Sequence, residues 1–308
     1  MTPPNSAVAP RSRSWLAYAA DYIQLTRPRI AIMVVAVVVV SSYVARRESL
    51  DLQLLARTML GTFFVAASAS ACNQLLERRR DRLMARTADR PLPAGRMGFV
   101  HALCFTVLTA FGGLSYLAWT VNGLTAFWGA MTWGLYVGVY TPLKPRTTLN
   151  TAIGAVVGAM PVWMGWSAVG GTWNLLEDPR GAALFLIEFL WQFPHFMAIA
   201  WIYRHQYEHA GMQMLTVVDP TGRRAGLQAV VAAVALLPVS AVPLLVMHGE
   251  AAVGYLIAAL VLGAGQLVFA TRFCRHRTER SARWLLRATL VYLPLLLVAL
   301  VLATRYGR

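Results

Sequence analysis

The sequence is poor in charge. Asp, Glu, Lys and Arg together make up 13% of its 308 residues, about half the share usual in soluble domains. With 57% hydrophobic residues, that scarcity excludes an ordinary soluble enzyme. Acids are scarcer than bases, 13 against 28, which leaves a net charge of +15. In a soluble chain such an excess would point to nucleic acid. Here the basic residues cluster at the ends of apolar runs, where the positive-inside rule accounts for most of them, so no nucleic-acid partner is expected. Cysteine is rare as well. Cys72, Cys104 and Cys274 lie in or beside apolar segments and form no CxxC spacing, so neither a disulfide framework nor a cysteine metal site is indicated. The first 25 residues lack an apolar core followed by a small-residue cleavage site. They read as a cytosolic tail leading into an interfacial stretch, Trp15–Leu25, and not as a signal peptide.

Long apolar runs are what the sequence does have. A helix crosses a bilayer with about 20 residues, and it satisfies its own backbone hydrogen bonds in lipid. The expected fold class is therefore all-α, a polytopic membrane protein. Nine spans are predicted, at about Ile30–Val44, Leu54–Leu76, Met97–Thr120, Leu124–Tyr140, Leu149–Val169, Ala182–Tyr203, Leu227–Met247, Ala252–Ala270 and Leu285–Ala303. Residues 1–26 form the tail and interfacial segment, and 27–308 a single transmembrane domain. Placing the N-terminus in the cytoplasm puts 22 of the 28 basic residues inside and leaves Arg46, Arg47, Arg57, Arg180, Arg305 and Arg308 outside. This gives an N-in, C-out topology. The loops after the second, fourth and sixth spans then share the cytoplasmic face.

Each of those loops carries polar residues. The first follows a segment with no charge from Thr58 to Gln74, after which seven arginines (78, 79, 80, 82, 86, 90, 96) and three acids (77, 81, 89) arrive within about twenty residues. Asn73, Glu77 and Asp81 are spaced i, i+4, i+8 and drift only about 80° around a helix, so they can share a face. Two carboxylates and an amide ringed by guanidinium groups could hold a divalent metal and a phosphate; the plainer reading is a solvated topology cap. The second loop has Tyr140, Lys144 and Arg146, hydroxyl and cationic donors suited to phosphate, or else an ordinary proline-containing turn. The third has His195 inside a span, then Tyr203, Arg204, Gln206 and Glu208. An ionisable side chain at membrane depth is costly and suggests function; the alternative is a histidine hydrogen-bonded to a neighbouring helix. By 100° steps Glu188, His195 and Gln206 fall within about 20° of one another on a continuous helix. In the fifth span, Gly154-xxx-Gly158 permits close helix packing. Together the three loops offer what a lipid diphosphate would need, with metal and cations for its head and apolar spans for its tail.

The ordered motifs resemble those of the UbiA-type intramembrane prenyltransferases, and among them the branch that modifies haem. The likeness rests on Asn73-xxx-Glu77-xxx-Asp81 with Met84-x-Arg86-Thr87-x-x-Arg90-Pro91-Leu92-Pro93, on Tyr140-Thr141-x-x-Lys144-x-Arg146-Thr147, and on Gly154-xxx-Gly158-Ala159-x-Pro161 with Gly165-Trp166. It continues with Trp191-Gln192-x-Pro194-His195-Phe196, Tyr203-Arg204 and Ala210-Gly211-x-x-Met214-Leu215. Arg27-Pro28-Arg29 before the first span resembles a further family motif. The resemblance implies helices arranged around a central cavity. It implies transfer of farnesyl from farnesyl diphosphate to the vinyl group of haem B, giving haem O, with Mg²⁺ as cofactor and haem B as substrate. It implies Asn73, Glu77 and Asp81 as metal–diphosphate ligands, Gln206 in the second metal position, and Arg86, Arg90, Lys144 and Arg146 around the diphosphate. Tyr140, Tyr203, Arg204 and His195 would contact substrate, His195 as the histidine of the haem branch. The setting would be a bacterial inner membrane, with a haem A synthase or a terminal oxidase as the downstream partner. The sequence departs from the family at Gln206 and at Glu77, where Asp is usual, and at Thr216, where Pro is common. Glu208 is displaced from Gln206 by about 200° on a helix. Other classes consistent with nine spans are a prenyltransferase for another aromatic acceptor, a proton-coupled carrier and a non-enzymatic oxidase assembly factor.

Overall fold

The computed structural model describes residues 14–46, 51–171 and 178–306. The predicted tail over residues 1–13, with Arg11 and Arg13, lies outside the described residues, as do Arg47 and Arg308 of the charge tally. The helices are α1 (Trp15–Thr26), α2 (Pro28–Ala45), α3 (Leu52–Asp81), α4 (Phe99–Thr120), α5 (Gly123–Gly134), α6 (Thr141–Leu143), α7 (Asn150–Ala159), α8 (Pro161–Ala168), α9 (Pro179–Ile202), α10 (Arg204–His209), α11 (Leu215–Val218), α12 (Arg223–Ala241), α13 (Gly249–His276) and α14 (Glu279–Tyr306), and among the described residues there is no strand.

Eight helical segments among the described residues are long and apolar enough to cross a membrane, α7 and α8 together forming one of them. The predicted fourth span is helical but not one regular helix. A six-residue π-helical segment, Leu135–Tyr140, joins α5 to α6, which is why it stands apart from the eight. Pro142 follows this segment; it has no N–H, and its ring would crowd the carbonyl four residues back in a regular α-helix. The predicted second span ended at Leu76, yet α3 runs on to Asp81. Arginine is a good helix former, and Arg78, Arg79 and Arg80 in the last turn complement the helix dipole.

α3 packs along α4 and α2, α12 along α9 and α13, α14 along α13 and α9, α2 along α8, and α7 along α9. The largest interior cluster joins Trp163, Trp166, Leu184, Ile187, Tyr255, Tyr292 and Leu296 from α8, α9, α13 and α14. Outward faces are apolar too: Leu108, Phe111, Trp119, Val231, Val261 and Val298 are exposed. On a chain with eight such helices this is a lipid-facing surface.

Three local features aim side chains at the end of the bundle where the polar loops lie. Arg27 caps both α1 and α2 with left-handed backbone, φ 48°, a conformation that costs an L-residue about 1–2 kcal/mol. The turn places Arg27 within electrostatic reach of Asp81. In α7, a Cβ at Gly154 would come within 2.6 Å of the Tyr140 ring, and one at Gly158 would collide with the Gln192 amide. The two glycines of the packing motif therefore make room for specific partners. Finally, α9 continues through Pro194 and ends at Ile202, where Tyr203 (φ −107°, ψ 17°) turns the chain into α10. The predicted alignment of Gln206 with Glu188 and His195 on one continuous helix does not hold, because the break at Tyr203 resets the helical phase.

Candidate active site

The i, i+4, i+8 triad lies on the inward face of α3. Asn73, Glu77 and Asp81 are buried, at 0%, 6% and 1% exposure. They are not a solvated cap. Glu77 Oε1 is 2.8 Å from Lys144 Nζ, and Asp81 Oδ2 is 2.6 Å from Arg90 Nη1. Lys144 is the one lysine among the chain's 28 basic residues, a compact point charge where every other position uses the broader guanidinium. Its ammonium lies 4.6 Å from the centre of the Tyr140 ring. Burial alone would weaken its hold on a proton, but Tyr140 and Glu77 more than offset this, and Lys144 titrates above the usual lysine range. Arg90 is held below its usual range by burial and by Arg27, and remains charged.

Asn73 is oriented by Thr141. The Thr141 hydroxyl donates to the Tyr136 carbonyl at 2.8 Å, so its remaining capacity is to accept, and it accepts from Asn73 Nδ2 at 3.2 Å. That fixes the amide and leaves Asn73 Oδ1 buried, without a hydrogen-bond partner among the described residues. An unpartnered carbonyl oxygen beside two carboxylates is an all-oxygen donor set of the kind Mg²⁺ takes. Among the described residues, no group of three or more His, Cys, Asp or Glu converges for a metal; a third oxygen on this face would have to come from the Asn73 amide.

The three loops meet. Arg86 of the first lies between the rings of Tyr203 and Tyr207, 4.8 Å from each centre, and donates to the Tyr207 hydroxyl at 2.7 Å. Its backbone N–H donates to Gln206 Oε1 at 3.4 Å. Met84 packs with Tyr207, Ala210 and Met212 beneath. The second loop joins the third where Gln213 N–H donates to the Lys144 carbonyl (2.8 Å) and Asn150 Nδ2 donates to the Gln213 carbonyl (2.9 Å). Arg96 ties the first loop to α1 through Asp21 and Gln24, at 3.0 and 2.9 Å.

Three candidates lie apart from this cluster. Arg146 is exposed and has no ion pair among the described residues. Arg204 turns back on α9, donating to the Trp201 carbonyl at 2.9 Å and lying 4.5 Å from the Trp201 ring centre. His195 sits at the α9–α14 contact: Nδ1 is 3.0 Å from Thr289 Oγ1, and its ring stacks on Trp191 at 4.8 Å and 24°. Asn150 and Thr289 were not singled out from the sequence, and Thr141 and Tyr207 stood there within the second and third polar stretches without a role of their own. Tyr207 had a visible signal, sitting four residues after Tyr203 so that both rings can flank one cation. Thr289 had none.

The profile of the UbiA prenyltransferase family matches residues 33–304. The chain belongs to the UbiA prenyltransferase family. It is similar to the protoheme IX farnesyltransferase of Rhodopirellula baltica, 43% identical over 286 residues that cover 91% of this chain and 98% of that one. It is also similar to the protoheme IX farnesyltransferase of Solibacter usitatus, 42% identical, covering 90% and 96%. Its fold is that of the UbiA homologue from Archaeoglobus fulgidus solved with DMAPP and Mg²⁺, at TM-score 0.66 and 16% identity, over 93% of this chain and 99% of that one. In this UbiA prenyltransferase, the buried carboxylates, the cations across from them and the clasped loops stand together at one end of the helices that carry them.

Proposed function

We propose that this protein transfers the farnesyl group of farnesyl diphosphate to a vinyl group of haem B, forming haem O and releasing diphosphate. The observation that carries the reading is the 43% identity, over nearly the full length of both chains, to a protoheme IX farnesyltransferase. The site geometry supports it. Mg²⁺, held by Asn73, Glu77 and Asp81, would neutralise charge on the diphosphate.

The chain's own groups do the rest. Lys144 and Arg90, each already against a carboxylate, are placed to turn to phosphate oxygens, where negative charge grows as the C1–O bond breaks. Arg86, clamped between two tyrosines, holds the first and third loops together over the diphosphate. The electron pair leaves with the diphosphate, and C1 of the farnesyl group bonds to the terminal vinyl carbon. The cation left on the carbon next to the porphyrin ring takes the oxygen of water, which loses one proton to give the hydroxyethyl group. Apolar walls keep other water from the allylic centre until then. An inner-membrane setting with the N-terminus inside, and a haem A synthase or terminal oxidase to take the product, belong to the same reading.

The test is to incubate membranes containing the protein with haem B, farnesyl diphosphate and Mg²⁺ and to look for haem O by mass. Loss of product in Asp81→Asn supports the assignment of the carboxylates; undiminished product refutes it.

A further inference from the structure

His195 and Trp191 share one anchor. Trp191 Nε1–H donates to the Thr289 carbonyl at 2.7 Å, and His195 Nδ1 meets the Thr289 hydroxyl at 3.0 Å. The stacked rings are thus fixed to the same turn of α14. Thr289 is fully buried. Its hydroxyl has a single hydrogen, and that hydrogen goes to the Leu286 carbonyl, 2.7 Å away. The hydroxyl can only accept from His195, so Nδ1 carries the proton, and in the neutral ring Nε2 carries the lone pair. Among the described residues Nε2 has no hydrogen-bond partner, and it is not among the sealed polar atoms of the interior. An imidazole in this tautomer cannot donate to a phosphate oxygen through Nε2. It can bind a metal centre.

We propose that His195 Nε2 is an axial ligand to the iron of the haem substrate, and that Thr289 is the positioning residue that sets its tautomer and aim. The proposal rests on the haem reading above. Two features favour iron. A ring pinned at one nitrogen and stacked on one face presents its other nitrogen in a fixed direction, as metal-bound histidines do when their second nitrogen is held by an outer partner. The ring's neighbours are apolar, with Trp191 stacked on its face and Phe196 edge-on at 5.6 Å, in keeping with a greasy, aromatic ligand.

The experiment titrates the purified protein in lipid nanodiscs with haem B and reads the absorption and the resonance Raman spectrum of the reduced complex, with no farnesyl diphosphate present. Wild type should show an iron–imidazole stretch. Thr289→Ser keeps the hydroxyl and should keep both stretch and affinity. Thr289→Val should shift the stretch and weaken haem binding about 10- to 100-fold, the usual cost of losing an outer partner of a ligand. His195→Gly should lose the stretch and regain it with added imidazole. Haem bound to wild type without an imidazole stretch overturns the ligand assignment and leaves the transferase reading standing. An unchanged stretch and affinity in Thr289→Val overturns the role of Thr289. Failure of wild type to bind haem overturns both this proposal and the reading beneath it.

Discussion

The Thr141 hydroxyl lies 3.2 Å from Asn73 Nδ2 and gives its own hydrogen to the carbonyl of Tyr136. Thr289 does the same between Leu286 and His195. In each case a threonine on one helix decides which atom of a polar side chain on another is left free.

Removing the Thr141 oxygen should therefore disturb the donor set without touching a charge. In Thr141→Val, Asn73 loses its anchor, and Mn²⁺ binding in the presence of pyrophosphate, followed by paramagnetic resonance, should weaken about 10-fold or more. Thr141→Ser should bind as wild type does. Equal affinity in all three proteins would show that Asn73 is held by something else.

Lys144 and Glu77 form a buried pair, so removing one partner strands the other. Lys144→Met should lower unfolding stability in detergent by about 3–5 kcal/mol, together with loss of product. The double variant Lys144→Met, Glu77→Leu should recover much of that stability and no activity. The pH dependence has a definite sign. Because the folded-state value is raised, the pair's contribution through Lys144 is whole below the ordinary lysine value of about 10.4 and is lost only as pH rises through the higher folded value. A thermal melting point that falls between pH 7 and 9.5 in wild type, and not in Lys144→Met, would contradict this.

Arg86 offers a test of the clasp. Arg86→Ala removes both ring contacts and the Tyr207 hydrogen bond. Hydrogen exchange should quicken in both 82–97 and 203–214 at once, and KM for farnesyl diphosphate should rise about 10-fold, in keeping with a partly buried cation–π contact of about 1–2 kcal/mol. Exchange confined to one loop would mean that the two are not coupled.

Glu188 makes the opposite kind of prediction. It is buried in the middle of α9, and its Oε1 has no hydrogen-bond partner among the described residues. Glu188→Leu should raise stability by about 1–3 kcal/mol, the usual cost of an unsatisfied buried polar group, read as a higher melting temperature in detergent. A lower melting temperature would show a role for the carboxylate that its hydrogen bonding does not reveal.

The spans were legible because hydropathy acts over whole helices and lipid demands internal hydrogen bonding. The triad on α3 was legible for a related reason: its spacing falls within one helix, so a wheel is enough. Where the chain leaves a helix the wheel fails. Gln206 could not be placed from His195, because Tyr203 interrupts the phase. Charge alone did not separate Arg90, which pairs with Asp81, from Arg146, which faces outward, or from Arg204, which folds back on Trp201. Those outcomes depend on which neighbour a long side chain meets, and that is settled by tertiary packing. The pairings of the threonines were invisible for the same reason, since nothing along the chain links Thr141 to Asn73 or Thr289 to His195.

The π-helical segment Leu135–Tyr140 amounts to one residue more than an α-helix would use between α5 and α6. Position along the chain is thereby converted into an angle: everything after it, Thr141 and Lys144 included, is rotated by about 100° from where an uninterrupted helix would put it. Deleting a single residue there would restore a regular helix and aim both side chains away from α3, with every charged and hydroxyl group of the site still present in the sequence. The partnership of Lys144 with Glu77 is thus written in the length of a helix as much as in the identity of its residues.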